Sequence, residues 1–212
     1  MFAFLNGNIR PRNLGILMVV GGPGGSGSST IAKHLGKHFG LRRYYGGARM
    51  RQIARDRGYN SLADFYETDY FLKNSVEIDS DIDKYLVQVS YQPDVLIESK
   101  TFAALSHVRG IPCTVKIWID ADFNVKVKRT MLSRGGYSNP EDIDENSPEY
   151  KEAYENLKTR YQMDEQRYEK LYSIDYPGAE LYNDIVVDST KLDVASTFNL
   201  ILNKIKDGGF IS

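Results

Sequence analysis

Apolar residues follow two rhythms along this chain. Short, nearly continuous runs stand at Ile16–Val20 ("ILMVV"), Val95–Glu98 ("VLIE"), Val115–Ile119 ("VKIWI") and Ile185–Val187 ("IVV"). The first is ended by glycines, and each of the others ends in an acidic residue or soon meets one. Runs of this kind predict strands of a parallel sheet buried on both faces. Between them the spacing turns helical. In "TIAKHLGKHFG" Ile31, Leu35 and Phe39 share one face, and Gly40 supplies a stop. Further helical stretches are read at about Ala48–Asp56, Ser61–Asn74, Asp79–Ser90, Val125–Ser133, Glu149–Tyr172 and Ala195–Lys206. Strands alternating with helices predict an α/β layer architecture with right-handed crossovers. The polar, acidic, turn-rich stretch Arg134–Pro148 reads as a mobile connection.

Composition narrows the class of protein. The chain has 212 residues, 42% hydrophobic and 26% charged, which suits one soluble domain with a sizeable core. A net charge of −1 gives no global electrostatic case for nucleic acid or a membrane surface. No segment has the apolar length to span a bilayer, and the N-terminus does not read as a signal peptide. The single Cys113 excludes an internal disulfide framework and a cysteine zinc site, and fits a reducing, cytoplasmic setting.

The stretch "GGPGGSGSST" (21–30) follows the first predicted strand and opens the first predicted helix. Its spacing is that of a phosphate-cradling loop, G-x-x-x-x-G-K-[ST], with Gly22, Gly27, Ser28 and Ser29 on the pattern positions. Gly24, Gly25, Ser26 and Thr30 complete the loop. Successive backbone N–H groups curve round a phosphate, and the helix N-terminus adds positive potential. Ser29 keeps the hydroxyl that such loops direct at Mg²⁺. Ser28 stands where the loop lysine, a point charge on the β- and γ-phosphates, is normally found. A bare glycine turn is the alternative, and the strand and helix on either side argue against it.

With that loop, most of the chain (about Leu17–Lys206) resembles the compact archaeal-type cytidylate kinases among the P-loop nucleoside monophosphate kinases. The resemblance is carried by "YYGGARMRQIARDRG" (44–58), "VEIDSDIDKYL" (76–86), "DVLIESK" (94–100), "RYEKLYSID" (167–175) and "YNDIVVDST" (182–190). It implies a three-layer P-loop fold with a five-stranded parallel sheet in a single domain, an acceptor-binding helical insertion at 59–90 and a lid at 134–160. It also implies ATP and Mg²⁺ as cofactors. The family tolerates small residues, often threonine, at the position of Ser28. Where it has Asp-Gly-Arg, this chain has Glu98-Ser99-Lys100. Both charges keep their sign, but lysine lacks arginine's bidentate fork.

Arg160, Asp164 and Arg167 stand at i, i+4 and i+7, so a helix places them on one face. Spacing alone fits a solvated salt-bridge ladder. The resemblance gives them the transfer step, the aspartate holding an arginine and the arginines neutralising phosphoryl oxygens, with a larger share where the loop has no lysine. Lys128 and Arg134 are secondary candidates. The resemblance points to Arg51 for the acceptor phosphate, while Arg49 and Arg55 read as solvated. Asp79 and Asp83 share a helical face. They read either as N-terminal helix charges or as contacts to the acceptor base, its ribose, Arg51 or Lys100. Glu98 ends a central strand, where open α/β sheets bind ligands, and can orient acceptor or metal-bound water. Asp188, Ser189 and Thr190 border the donor's adenine or cap the last helix. His34 and His38 read as a solvated face, and Trp118 as core.

The expected function is transfer of the ATP γ-phosphoryl group to CMP or dCMP by a cytoplasmic monomer acting on small nucleotides. A kinase of another nucleotide or small metabolite, or a catalytically weak ATP-binding regulatory protein, are the alternatives that the altered motifs leave open.

Overall fold

A computed structural model of the chain describes residues 10–60, 62–66, 68–173 and 181–211, with the side chains of 62, 63, 167 and 171 outside that description. Its strands are β1 (Leu17–Gly21), β2 (Arg42–Tyr45), β3 (Val95–Glu98), β4 (Val115–Asp120) and β5 (Ile185–Asp188). They form one sheet in the order β2-β3-β1-β4-β5, and every pairing is parallel. The helices are α1 (Ser28–His38), α2 (Gly46–Asp56), α3 (Leu62–Tyr66), α4 (Asp69–Ser90), α5 (Phe102–Val108), α6 (Phe123–Arg134), α7 (Pro148–Tyr172) and α8 (Val194–Asp207).

Strand alternation sorts the core into two layers. Leu17, Val19, Val95 and Ile97 pack with residues of α2, α4 and α5, including Ile53, Leu86 and Phe102. Met18, Val20, Leu96 and Ile117 pack on the other face with Ile31 and Leu35 of α1 and Ile201 and Ile205 of α8. Both faces of β1 are buried, which is why its sequence is apolar at every position before Gly21. Each such Val, Leu or Ile stabilises the fold by about 1.5–3 kcal/mol.

A smaller core lies apart from the sheet. Val127 and Met131 of α6 pack against Ile143 and against Tyr150, Ala153 and Leu157 of α7. Ser147 caps α7, its Oγ accepting from Tyr150 N at 3.1 Å, and Pro148 occupies the first turn. The connection 134–148 therefore runs into an arm with its own apolar interior.

Three elements differ from the sequence expectation. β2 has no apolar run because it is an edge strand with partly exposed positions. α5 is too short for a helical period to declare itself. Residues 69–90 form one helix, where two were expected at 61–74 and 79–90. The cap is Thr68, whose Oγ1 accepts from Phe71 N at 3.1 Å, and no glycine or proline interrupts the helix after it. Asp79 and Asp83 consequently lie well inside α4, which removes their reading as N-terminal helix charges. The second half of α4 covers the sheet through Ile82, Leu86 and Val89.

Candidate active site

The C-terminal ends of the strands lie side by side: Val20 pairs with Glu98, Tyr45 with Glu98, Gly21 with Trp118, and Asp120 with Asp188. The glycine loop rises from this edge between β1 and α1. Packing dictates its glycines. A Cβ on Gly22 would collide with the Ile119 carbonyl, and one on Gly25 (φ +81°) with the Lys126 carbonyl. One on Gly24 would stand 3.3 Å from Leu157 Cδ1. Gly27 (φ +87°) is the left-handed N-cap of α1 and has open space around it. Ser26 is buried, and its Oγ accepts from Ser28 N at 3.3 Å. Ser28 and Ser29 begin α1, and Thr30 N closes on Gly27 O at 3.0 Å.

A first group of charged residues meets beside this loop. Arg43 of β2 donates to Ser29 Oγ at 3.1 Å and, through Nε, to Glu98 Oε2 at 2.6 Å. The pair is shielded, with side-chain exposures of 17% and 16%. The Arg43 guanidinium also lies 4.3 Å from the Tyr45 ring centroid. Arg51 shares that ring at 5.2 Å and donates to the Tyr45 hydroxyl at 2.8 Å.

A second group forms a cleft lined by Gly24, Lys100, Leu157, Arg160, Tyr161 and Asp164. Lys100 forms an ion pair with Asp164. Arg160 and Asp164 thus line one cleft with Gly24, and their spacing predicts only the shared helix face. Arg167 lies further along α7, with its side chain outside the described residues. Ser99, between the two charges of Glu98-Ser99-Lys100, acts locally. Its Oγ accepts from Thr101 N and Phe102 N, both at 3.2 Å, and starts α5.

Asp83 is buried and accepts from the Tyr172 hydroxyl of α7. Burial first, and Asp83 second, push the Tyr172 phenol far above its ordinary value, with Asp79 adding to the effect. Arg49 is exposed against the Tyr85 ring at 5.5 Å. Lys128 pairs with Glu145 at 2.7 Å in the arm. His34 and His38 are exposed beside Phe198, and Trp118 is buried against Tyr168.

Thr190 donates to Asp188 through N at 2.9 Å and Oγ1 at 2.5 Å, holding that carboxyl below its usual range. This loop does not cap α8. Asp193 does, accepting from Ser196 N at 2.7 Å. Ser189 instead ties the loop to the glycine loop, donating to Ser26 O at 3.2 Å.

Sequence reasoning missed several residues of this region. Arg129 of α6 donates to Ser26 O, Ser189 Oγ, Ser189 O and Leu192 O at 2.8–3.3 Å. Buried Lys126 donates to Asp120 Oδ1 at 2.8 Å, with the rings of Tyr161 and Phe123 at 5.3 and 5.6 Å. Arg43 carried no signal beyond a basic pair in a short polar strand. For Arg129 and Lys126 the one available signal is their period of three on α6, facing inward from a basic stretch.

Whether the site suits Mg²⁺ follows from its donor set. Ser29 and Glu98 offer hard oxygens, already bridged by a cationic side chain, Arg43. Mg²⁺ with nucleotides usually takes one or two carboxylates besides phosphate and water.

The parallel sheet, the glycine loop between its central strand and a helix, and cations converging on that loop define a P-loop kinase fold. The chain belongs to the cytidylate kinase-like family, whose match spans residues 20–191. It is similar to the cytidylate kinase of Methanopyrus kandleri, 28% identical over 195 residues that cover 89% of this chain and 92% of that protein. It is also similar to that of Methanocaldococcus jannaschii, 28% identical over 190 residues that cover 90% and 97%. Among solved structures, shikimate kinase from Bacteroides thetaiotaomicron superposes with a TM-score of 0.55 at 10% identity, covering 92% of this chain and 99% of the other. That likeness concerns the fold. No helix among the described residues is long and apolar enough to cross a membrane.

Proposed function

We propose that this kinase transfers the γ-phosphoryl group of ATP to CMP or dCMP. The observation that carries the reading is the cleft in which Gly24 of the loop meets Lys100 beyond β3 and Arg160 and Asp164 of α7, in a chain of the cytidylate kinase-like family. Donor phosphates bind the backbone N–H groups of residues 22–30 and the N-terminus of α1. An acceptor phosphate oxygen attacks the γ-phosphorus. As that bond forms, the bond to the β–γ bridging oxygen breaks and ADP leaves, with no covalent enzyme intermediate. Arg160, with Arg167, neutralises charge on the moving group. Asp164 and Lys100 hold one another in place.

Arg51 contacts the acceptor phosphate. One or both of Asp79 and Asp83, the latter held by the Tyr172 hydroxyl, face the acceptor base or ribose from the 59–90 segment. Residues 134–160 act as the lid, whose closure excludes water and suppresses hydrolysis. Ser29 and Glu98 would hold Mg²⁺, which when bound neutralises and orients phosphate oxygens. The reading describes a cytoplasmic monomer acting on free nucleotides.

The test is ADP release from Mg·ATP with a panel of ribo- and deoxyribonucleoside monophosphates. Stimulation selective for CMP and dCMP is expected. Selective stimulation by another acceptor would overturn the specificity, and ATP binding without stimulation by any acceptor would overturn the acceptor class.

A further inference from the structure

The loop has Ser28 where phosphate loops carry a cation, yet a cation reaches it from a different strand. Arg43 leaves β2 beside α1, its Cβ within 3.9 Å of where a side chain on Gly36 would begin. Its guanidinium arrives at the first turn of α1, on Ser29 Oγ, one residue from Ser28. That is an unfavourable place for a positive charge, because the helix N-terminus is itself positive. Glu98 offsets part of the cost. Tyr45 then gathers a second guanidinium, that of Arg51, on the same ring. Like charges held this close repel, and an arriving phosphate would relieve both the repulsion and the helix-end conflict. Lys126, beside the loop at Gly25, is enclosed by Asp120, Tyr161 and Phe123, Arg129 is held on Ser26 O, Ser189 and Leu192 O, and Lys100 is paired with Asp164.

We infer that Arg43 supplies, from β2, the positive charge toward the donor's terminal phosphate that the loop lacks at Ser28. This rests on the kinase reading above. The guanidinium exchanges Ser29 and Glu98 for the γ-phosphoryl oxygens when nucleotide binds, which also frees those two oxygens.

The full-length protein tests this by calorimetric titration with Mg·ATP and Mg·ADP, and by turnover. Arg43→Ala is expected to weaken ATP about tenfold more than ADP and to lower kcat by about a hundredfold or more, the scale of a lost transfer-stage arginine. Arg43→Lys retains part of both. Ser28→Lys raises activity and the preference for ATP about tenfold or more further in the Arg43→Ala background than it does in the unaltered chain. Equal weakening of ATP and ADP by Arg43→Ala, or the same gain from Ser28→Lys in both backgrounds, overturns the inference. Should the alanine variant fail to fold, Arg43→Gln keeps a donor for Ser29 and Glu98 without the charge and carries the same expectations. The titrations need no acceptor. If CMP and dCMP fail as substrates while the preference for ATP collapses on losing Arg43, the acceptor reading falls and this inference stands.

Discussion

Lys100 and Asp164, 64 residues apart, form an ion pair that fastens the end of the central sheet to the middle of α7. It joins the strand-end stretch Glu98-Ser99-Lys100 to the helix that carries Arg160. The pair gives α7 an electrostatic anchor in the cleft beside the loop.

Breaking that anchor is expected to cost stability and turnover together. The side chains are 28% and 13% exposed, between the surface and buried regimes, so Lys100→Ala should cost about 1–2 kcal/mol. Asp164→Asn should do the same, and the double variant should cost less than the sum. Urea denaturation of the four proteins measures the coupling; strict additivity would show that the pair does not act as a unit.

Arg160 should separate from the loop in its kinetic signature. Arg160→Ala is expected to lower kcat by about a hundredfold or more while changing ATP affinity by less than about tenfold. An effect confined to KM would place Arg160 in ground-state binding instead.

Gly25 and Gly27 have similar φ angles, +81° and +87°, but different surroundings. Gly27→Ala meets open space and should cost about 1–2 kcal/mol of left-handed strain. Gly25→Ala adds a collision with the Lys126 carbonyl and should cost about 3 kcal/mol or more. Equal losses in denaturant melts would argue that the loop is not seated on α6.

Alkaline pH should loosen the contact between α4 and α7. Burial, reinforced by Asp83, holds the Tyr172 phenol protonated in the native state far above its ordinary value. The unfolded chain loses that proton near about pH 10. The stabilisation is complete below that pH and declines as pH rises through it, because the native state binds the extra proton. Burial raises the Cys113 thiol as well, so its decline begins lower, near about pH 8.5. Tyr172→Phe should flatten the upper part of the stability–pH curve and leave the lower part intact, as read by urea titrations at stepped pH.

The sequence-level reading succeeded where local chemistry decides the structure. Five residues buried on both faces and followed by glycines announce β1 and its loop. The four-residue step from Arg160 to Asp164 needs only a helix to align them. It failed where tertiary pairing decides. β2 is spelled Arg-Arg-Tyr-Tyr because its exposed edge serves the site more than the core. Asp79 suggests a helix start, but Thr68 had already capped the helix. Lys100 and Asp164 meet only because the parallel order brings β3 beside β1 and α7 folds back over the loop.

Seated on the first turn of α6 at Gly25 and under Leu157 at Gly24, the phosphate loop has its shape before any nucleotide arrives. Conformational entropy that a floppy loop would lose on ligand capture has been lost here during folding. Donor binding should then show a modest entropic penalty and association rates limited by encounter rather than by loop rearrangement.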